Sequence, residues 1–388
     1  MTERKLATIA VRQGIESDTQ HGAVVPPIYL STNYSFDGHK NPRDFDYSRS
    51  GNPTRSILGD AIAGLEKGAT GVVTCTGMAA ITLITSLLGP DDLLLVPHDC
   101  YGGSYRLFTN LAKKGQFKLV VVDQTDRQAL SEAIALKPKM VWLETPSNPL
   151  LRVVDIAAIS AASHDVDALV VVDNTFLTPF LQQPLLLGAD IVMHSTTKYI
   201  NGHSDVVGGA VVAKDPELGE LLHWWSNTLG LTGSAFDSYL ALRGLRTLPI
   251  RIREHQANAQ RVLEVLTNSS AVDKVYYPGL KNHPEHDIAA KQQKGFGAML
   301  SFELKGGEAE LVAFLAKLSV FSIAESLGGV ESLVAVPATM THRAMEPEAR
   351  AEAGVKETLI RLSVGIEDAE DLVADIKAGL AAASAVSS

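Results

Sequence analysis

Cysteine is almost absent: Cys75 and Cys100 are the only two in 388 residues. That excludes a disulfide framework and a cysteine-rich metal site, and it suits a reducing compartment. No metal is expected. Long apolar runs are missing too. Stretches such as Asp92-Leu-Leu-Leu-Val96 and Leu169-Val-Val-Val172 are strand-sized and too short to span a bilayer. The first residues, Met1-Thr-Glu-Arg-Lys-Leu-Ala7, lack the apolar stretch of a secretory signal, so a cytoplasmic location is expected. Positive charge is outnumbered: 34 Lys and Arg face 44 Asp and Glu, a net charge of −10. A nucleic-acid partner wants a basic face and is not expected. Any anionic ligand must be held by local cations against this acidic background. Internal repeats, heptads and long linkers are also lacking.

What remains is an ordinary globular composition, 46% apolar and 20% charged. Three stretches differ in style. Residues 1–60 are polar and turn-rich, as in Tyr47-Ser-Arg-Ser-Gly-Asn-Pro-Thr54, and read either as a disordered arm or as one that gains its order by packing on something else. Residues 61–250 alternate helix-sized and strand-sized pieces. The predicted strands are Leu93–Val96, Lys118–Val122, Met140–Leu143, Leu169–Val172, Ile191–His194 and Gly209–Val212. Each is an almost continuous apolar run, as strands buried on both faces read. Met78–Leu88, Ser104–Lys114 and Arg127–Leu136 are long enough for crossover helices. The expected fold class is therefore α/β, a mostly parallel sheet between helices. Residues 251–388 form a smaller α+β domain. There Ala259, Val262, Leu263 and Leu266 keep helical spacing, as do Leu311, Phe314, Leu315 and Leu318. Leu300, Phe302 and Leu304 alternate with Ser301 and Glu303, which predicts a strand with one wet face. Leu372, Ile376 and Leu380 predict a last helix, and the Ala/Ser tail beyond it is expected to fray.

Ligands of α/β sheets bind outside the carboxyl ends of the strands. Those ends carry Asp173-Asn174, Ser195-Thr-Thr-Lys198, Glu144-Thr-Pro-Ser-Asn148 and, before the Met78 helix, Thr74-Cys-Thr-Gly77. A dinucleotide site would need G-x-G-x-x-G after an early strand, and none occurs; nor does a G-x-x-x-x-G-K phosphate loop. A pyridoxal-5′-phosphate (PLP) site needs an amine for the imine, a carboxylate for the pyridine nitrogen, and donors for one phosphate. All are present. Lys198 is the amine and Asp173 the carboxylate. Gly77 lets a phosphate approach the helix that begins with Met78. Ser195 and Thr197, two apart, offer hydroxyls on one face. Tyr101 is an aromatic that can stack on the ring. Each residue alone is a weak sign; their joint occurrence at successive strand ends carries the reading.

The segment Asp190-Ile-Val-Met-His-Ser-Thr-Thr-Lys198-Tyr-Ile-Asn-Gly-His-Ser204 resembles the lysine signature of the Cys/Met-metabolism PLP enzymes, the trans-sulfuration family. The resemblance runs from Ala7-Thr-Ile-Ala-Val-Arg12 to Leu362-Ser-Val-Gly-Ile366. It is most specific at Tyr47–Thr54, Val96-Pro-His-Asp-Cys-Tyr-Gly-Gly-Ser-Tyr-Arg106 and Ala324-Glu-Ser-Leu-Gly-Gly-Val-Glu-Ser332. It implies PLP fold-type I, the aspartate aminotransferase-like architecture, in a homotetramer of two active dimers. Residues 1–60 would be an arm on the neighbouring subunit, with Tyr47 and Arg49 reaching that subunit's cofactor phosphate. Arg361, Ser326 and Asn148 would hold the substrate's α-carboxylate; Arg106, near Tyr101 in the sequence, is the candidate for a distal one. Lys198, Tyr101 and Glu325 would be catalytic, Glu325 being shared by γ-acting members. Gly103 stands where methionine γ-lyases usually carry Cys. Arg343 departs from the Ala that relatives often have. The activity implied is γ-replacement, O-succinylhomoserine plus cysteine giving cystathionine plus succinate in methionine biosynthesis. Cystathionine γ-lyase activity is the alternative. A PLP-binding regulator without turnover is a remote one, expected to have lost Lys198, Asp173 or Tyr101.

Overall fold

The computed structural model describes residues 4–341, 350 and 353–386, so Arg343 lies outside the described residues. The larger sheet consists of β1 (Thr70–Thr74), β2 (Leu93–Pro97), β3 (Lys118–Val122), β4 (Met140–Glu144), β5 (Leu169–Asp173), β6 (Ile191–His194) and β7 (Gly209–Ala213). Its order is β1-β7-β6-β5-β4-β2-β3. The pairs from β3 to β6 are parallel, and only β7 runs against its neighbours β6 and β1. The sheet is mostly parallel, and the six predicted strands are β2 to β7.

Continuous apolar runs are explained by burial on both faces. Val141, Val170 and Val192 enter one hydrophobic cluster. Trp142, Val171 and Ile191, their chain neighbours, enter another on the opposite face. Strand β1 was not foreseen. Its second residue is Gly71, at which a Cβ would lie 2.1 Å from the Gly59 carbonyl oxygen. A helix, Pro53–Glu66, sits so close here that only glycine fits, and glycine hides the apolar pattern.

The second sheet contains β8 (Val272–Tyr276), β9 (Met299–Leu304), β10 (Ser322–Ile323), β11 (Leu333–Ala335) and β12 (Leu359–Ser363), ordered β10-β11-β12-β9-β8. Helices Leu248–Thr267, Glu308–Lys317 and Ala369–Val386 cover it through Val262, Leu266, Phe314, Leu372 and Ile376.

Two expectations need correction. The polar face of β9 is not wet: Ser301 is 0% and Glu303 3% exposed. Ser301 Oγ donates to the Pro149 carbonyl at 2.6 Å, and Glu303 accepts from the Tyr276 hydroxyl and from Lys356 Nζ. The larger sheet's Pro149 loop covers this face, and each polar group buried there has a partner. The C-terminal segment does not fray within the described residues. The helix continues to Val386 because Ala383 still packs into the core.

Before the Pro53 helix, the chain forms a short helix, Leu6–Arg12, and then turns and extended segments. Val24, Leu30 and Tyr47 are exposed there. Among the described residues, no helix is long and apolar enough to cross a membrane.

Candidate active site

A cavity of about 450 Å³ opens at the carboxyl ends of β2, β4, β5 and β6 and is closed from above by the second sheet. The end of β6 supplies Ser195, Thr197 and Lys198 to it, while Thr196 between them is buried. Lys198 Nζ donates to Ser326 Oγ at 2.7 Å. Burial, and then the nearby Arg361 cation, push the Lys198 amine down to about 8, with Glu325 opposing. The loop after Lys198 is anchored by Arg251, which donates to the carbonyls of Tyr199 and Ile200.

Asp173 ends β5 and Glu144 ends β4, and the two are register partners in adjacent parallel strands. Asp173 Oδ1 accepts the Thr175 N–H at 3.0 Å. Burial raises its carboxyl, while the Thr175 hydrogen bonds and the charge of His194 oppose. Glu144 is 7% exposed. It accepts the Tyr101 N–H at 2.7 Å and the Trp142 indole N–H at 3.3 Å. Burial, and then the Asp173 charge, push its carboxyl up to about 8.

Arg361, on β12, enters from the second sheet. It donates to Asn148 Oδ1 at 3.0 Å and to the Ser326 carbonyl at 2.8 Å. Among the described residues its buried Nε has no partner, so the guanidinium keeps a donor in reserve. Burial lowers its pKa to about 10. Tyr101 precedes the helix Gly102–Lys113, which carries Arg106 to the cavity rim. The Tyr101 ring lies against Gly103, where a Cβ would come within 2.5 Å of it. Burial and the Glu325 charge raise the phenol, which therefore keeps its proton.

The helix Gly77–Thr85 points its N-terminus at the same cavity. Thr76 Oγ1 caps it by accepting the Ala79 N–H, and the N–H groups of Gly77 and Met78 have no intrahelical acceptor. A Cβ on Gly77 would lie 2.9 Å from Ser195 Cβ, so glycine is what lets the helix and the β6 loop close into a cup. Tyr47 and Arg49 do not line the cavity of their own chain. Arg49 instead donates to the Asn227 carbonyl at 3.0 Å, with its guanidinium 5.6 Å from the Tyr47 ring centroid.

Amine, carboxylate, stacking ring, hydroxyls and open helix N-terminus surround one space, and this donor set fits PLP. Residues 7–381 match the Cys/Met metabolism PLP-dependent enzymes, and the chain belongs to that family. The architecture is PLP fold-type I. Among relatives, the cystathionine γ-synthase of Escherichia coli (strain K12) is 60% identical over 98% of this chain and 99% of its own. The cystathionine γ-lyase of Bacillus subtilis (strain 168) is 45% identical over 96% of this chain and 98% of its own. The crystal structure of a cystathionine γ-synthase from Xanthomonas oryzae pv. oryzae, in complex with cystathionine, superposes with a TM-score of 0.98. It is 61% identical and covers 99% of this chain and 100% of its own.

Glu325, Ser326 and Asn148, which the resemblance implied, and Arg106, the candidate for a distal carboxylate, all reach the cavity together with Arg361. Sequence reasoning assigned no role to Glu144, Thr175, Phe176 or Met340, which also line it. Glu144 stood in view at a strand end. What singled it out was its register with Asp173, which composition does not reveal.

Proposed function

We propose that this chain catalyses γ-replacement, in which O-succinylhomoserine and cysteine give cystathionine and succinate. The carrying observation is the Lys198 amine at 2.7 Å from Ser326, beside an Arg361 whose buried Nε has no partner among the described residues. The likeness to cystathionine γ-synthases over the full chain supports the choice of reaction.

Bound PLP supplies the electron sink that acidifies the substrate's Cα and Cβ protons. Gly77, Met78, Ser195 and Thr197 would hold its phosphate, Asp173 its ring nitrogen and Tyr101 its face, with Lys198 as the covalent anchor. Arg361, with Asn148 and Ser326, orients the substrate by its α-carboxylate. The freed Lys198 amine moves protons at Cα and Cβ. With a pKa of about 8, about one amine in ten is unprotonated at pH 7, far more than for an ordinary lysine. Tyr101 assists these transfers through its phenol. Glu325 receives the ammonium of the incoming cysteine, and Arg106 the distal succinyl carboxylate.

The arm carrying Tyr47 and Arg49 completes a neighbouring subunit's site, in a cytoplasmic homotetramer of two active dimers without nucleic-acid or membrane partners. The chain divides near residues 60 and 250, and the helices Pro53–Glu66 and Leu248–Thr267 span the two junctions. The test offers purified protein O-succinylhomoserine, O-acetylhomoserine and cystathionine separately, with and without cysteine. Cystathionine and succinate are the expected products. Faster cleavage of cystathionine than synthesis would make the chain a γ-lyase instead.

A further inference from the structure

Two carboxyl groups stand side by side at the floor of the cavity. Glu144 and Asp173 are Cα partners at the ends of parallel strands, so their side chains leave the same face about 5 Å apart. Each negative charge disfavours the other at this spacing, and burial adds to the cost, which favours a state in which one of the two keeps its proton. Asp173 is the more open of the two and lies near the buried His194, which is 2.6 Å from Glu66. Glu144 lies deeper. Around it stand Asp173 from β5, and Asp99, Cys100 and Tyr101 from the loop that leaves β2. Trp142 is on its own strand, and Lys198, Glu325, Arg106 and Arg361 line the same cavity. Among the described residues, its carboxyl oxygens meet two N–H donors and form no ion pair.

We propose that Glu144 is a positioning residue: it hangs the Tyr101 loop from the end of β4 and, by carrying the proton of the carboxyl pair, leaves the negative charge to Asp173. Both halves rest on the same atoms. The 2.7 Å bond from the Tyr101 N–H fixes the backbone whose side chain faces the cofactor. Ring position is tightly constrained there, since Gly103 leaves it no more room than a missing Cβ. The depth of Glu144 and the neighbouring Asp173 charge favour the neutral form and outweigh the Tyr101 and Trp142 N–H groups, which favour the charged one. The assignment rests on the reading of Asp173 as the ionised partner of the cofactor's ring nitrogen.

The test uses cofactor-loaded protein. Glu144→Gln keeps a neutral acceptor for the Tyr101 N–H, so kcat/KM falls less than about threefold and the cofactor's visible absorption titrates at the wild-type pH. If Glu144 were ionised, its removal would move that titration to lower pH by about half a unit or more, which would overturn the neutral assignment. Glu144→Ala leaves the N–H unpaired, and kcat/KM falls about 10- to 100-fold with cofactor still bound. Equal losses in the Gln and Ala variants, or no loss in either, would overturn the positioning role. Should the Gln variant fail to fold, infrared spectra of wild type carry the test. A protonated-carboxyl band is present at pH 7, and in Asp173→Asn it titrates away at lower pH because the neighbouring charge is gone. Absence of that band at pH 7 would overturn the proposal. The absorption and infrared readings do not depend on turnover, so a failed γ-replacement assay and a failed Glu144 assignment are told apart.

Discussion

The Lys198 amine and the Ser326 hydroxyl meet at 2.7 Å across the seam between the two sheets. Ser326 has a φ of 83°, in the left-handed region that a serine occupies only at a cost of about 1 kcal/mol or more. It is held there from both sides: its hydroxyl accepts from Lys198 and its carbonyl accepts from Arg361 Nη2 at 2.8 Å. The amine proposed to move protons and the guanidinium proposed to bind carboxylate thus share one strained residue.

Ser326→Ala removes only the hydroxyl side of this arrangement. The amine loses its partner while the Arg361 bond to the backbone survives. We expect kcat/KM to fall about tenfold, the worth of one hydrogen bond from a charged donor, with cofactor binding retained. Steady-state kinetics alongside the visible absorption of the bound cofactor check this. Undiminished activity would show that the contact matters only before substrate binds.

Much of this site was legible in the residues, because strands buried on both faces announce themselves and α/β ligands sit at their ends. Lys198, Ser195 and Thr197 follow, and Asp173 ends, strands that apolar runs located to within a residue. The rest depended on pairing between distant segments. Glu303 reads as a solvent-facing charge until Lys356, 53 residues later, closes on it. Glu144 gains meaning only from its register with Asp173, and β1 was masked by the glycine that its neighbouring helix demands. Arg361, Ser326 and Glu325 have no local pattern at all; only the family resemblance pointed to them.

Lys198 also sets a pH dependence of stability in the cofactor-free protein. Its pKa is about 8 folded against an ordinary 10.5. The folded state binds this proton less readily than the unfolded one, so the destabilisation is full below pH 8 and fades as pH rises toward 10.5. Lys198→Met should therefore be more stable than wild type at pH 7, by about 2 kcal/mol after the lost Ser326 hydrogen bond is subtracted. Calorimetry of both apo-proteins at pH 7 and pH 10 reads the difference, which should shrink at the higher pH. A pH-independent difference would assign it to packing instead.

Arg49→Ala and Lys198→Ala test the exchange of arms between subunits. In its own chain Arg49 reaches Asn227 rather than the cavity. If it serves a neighbour, each variant alone should be almost inactive, and a mixed dimer should hold one site with both residues intact. Activity should return after the two are mixed and refolded, toward one intact site per mixed dimer. No recovery in verified hybrids would confine Arg49 to its own subunit.

Arg106 is the cation placed to choose between the two esters. O-succinylhomoserine carries a second carboxylate that the acetyl ester lacks, and a chain of net charge −10 gives that carboxylate no general attraction. A dedicated cation must hold it, and a site built around a charged partner discriminates against an analogue that leaves the cation unpaired. Arg106 lies on the cavity rim, one turn past Tyr101 on the helix Gly102–Lys113, and its positive charge is felt by the Tyr101 phenol. A charge-assisted hydrogen bond contributes roughly 1.5–3 kcal/mol, so Arg106→Ala should lower kcat/KM for the succinyl ester about 10- to 100-fold. The acetyl ester should lose much less. Competition between the two esters, followed by the succinate and acetate released, measures the ratio directly. Equal losses would mean that Arg106 supports Tyr101 and the cavity wall rather than the substrate's distal end.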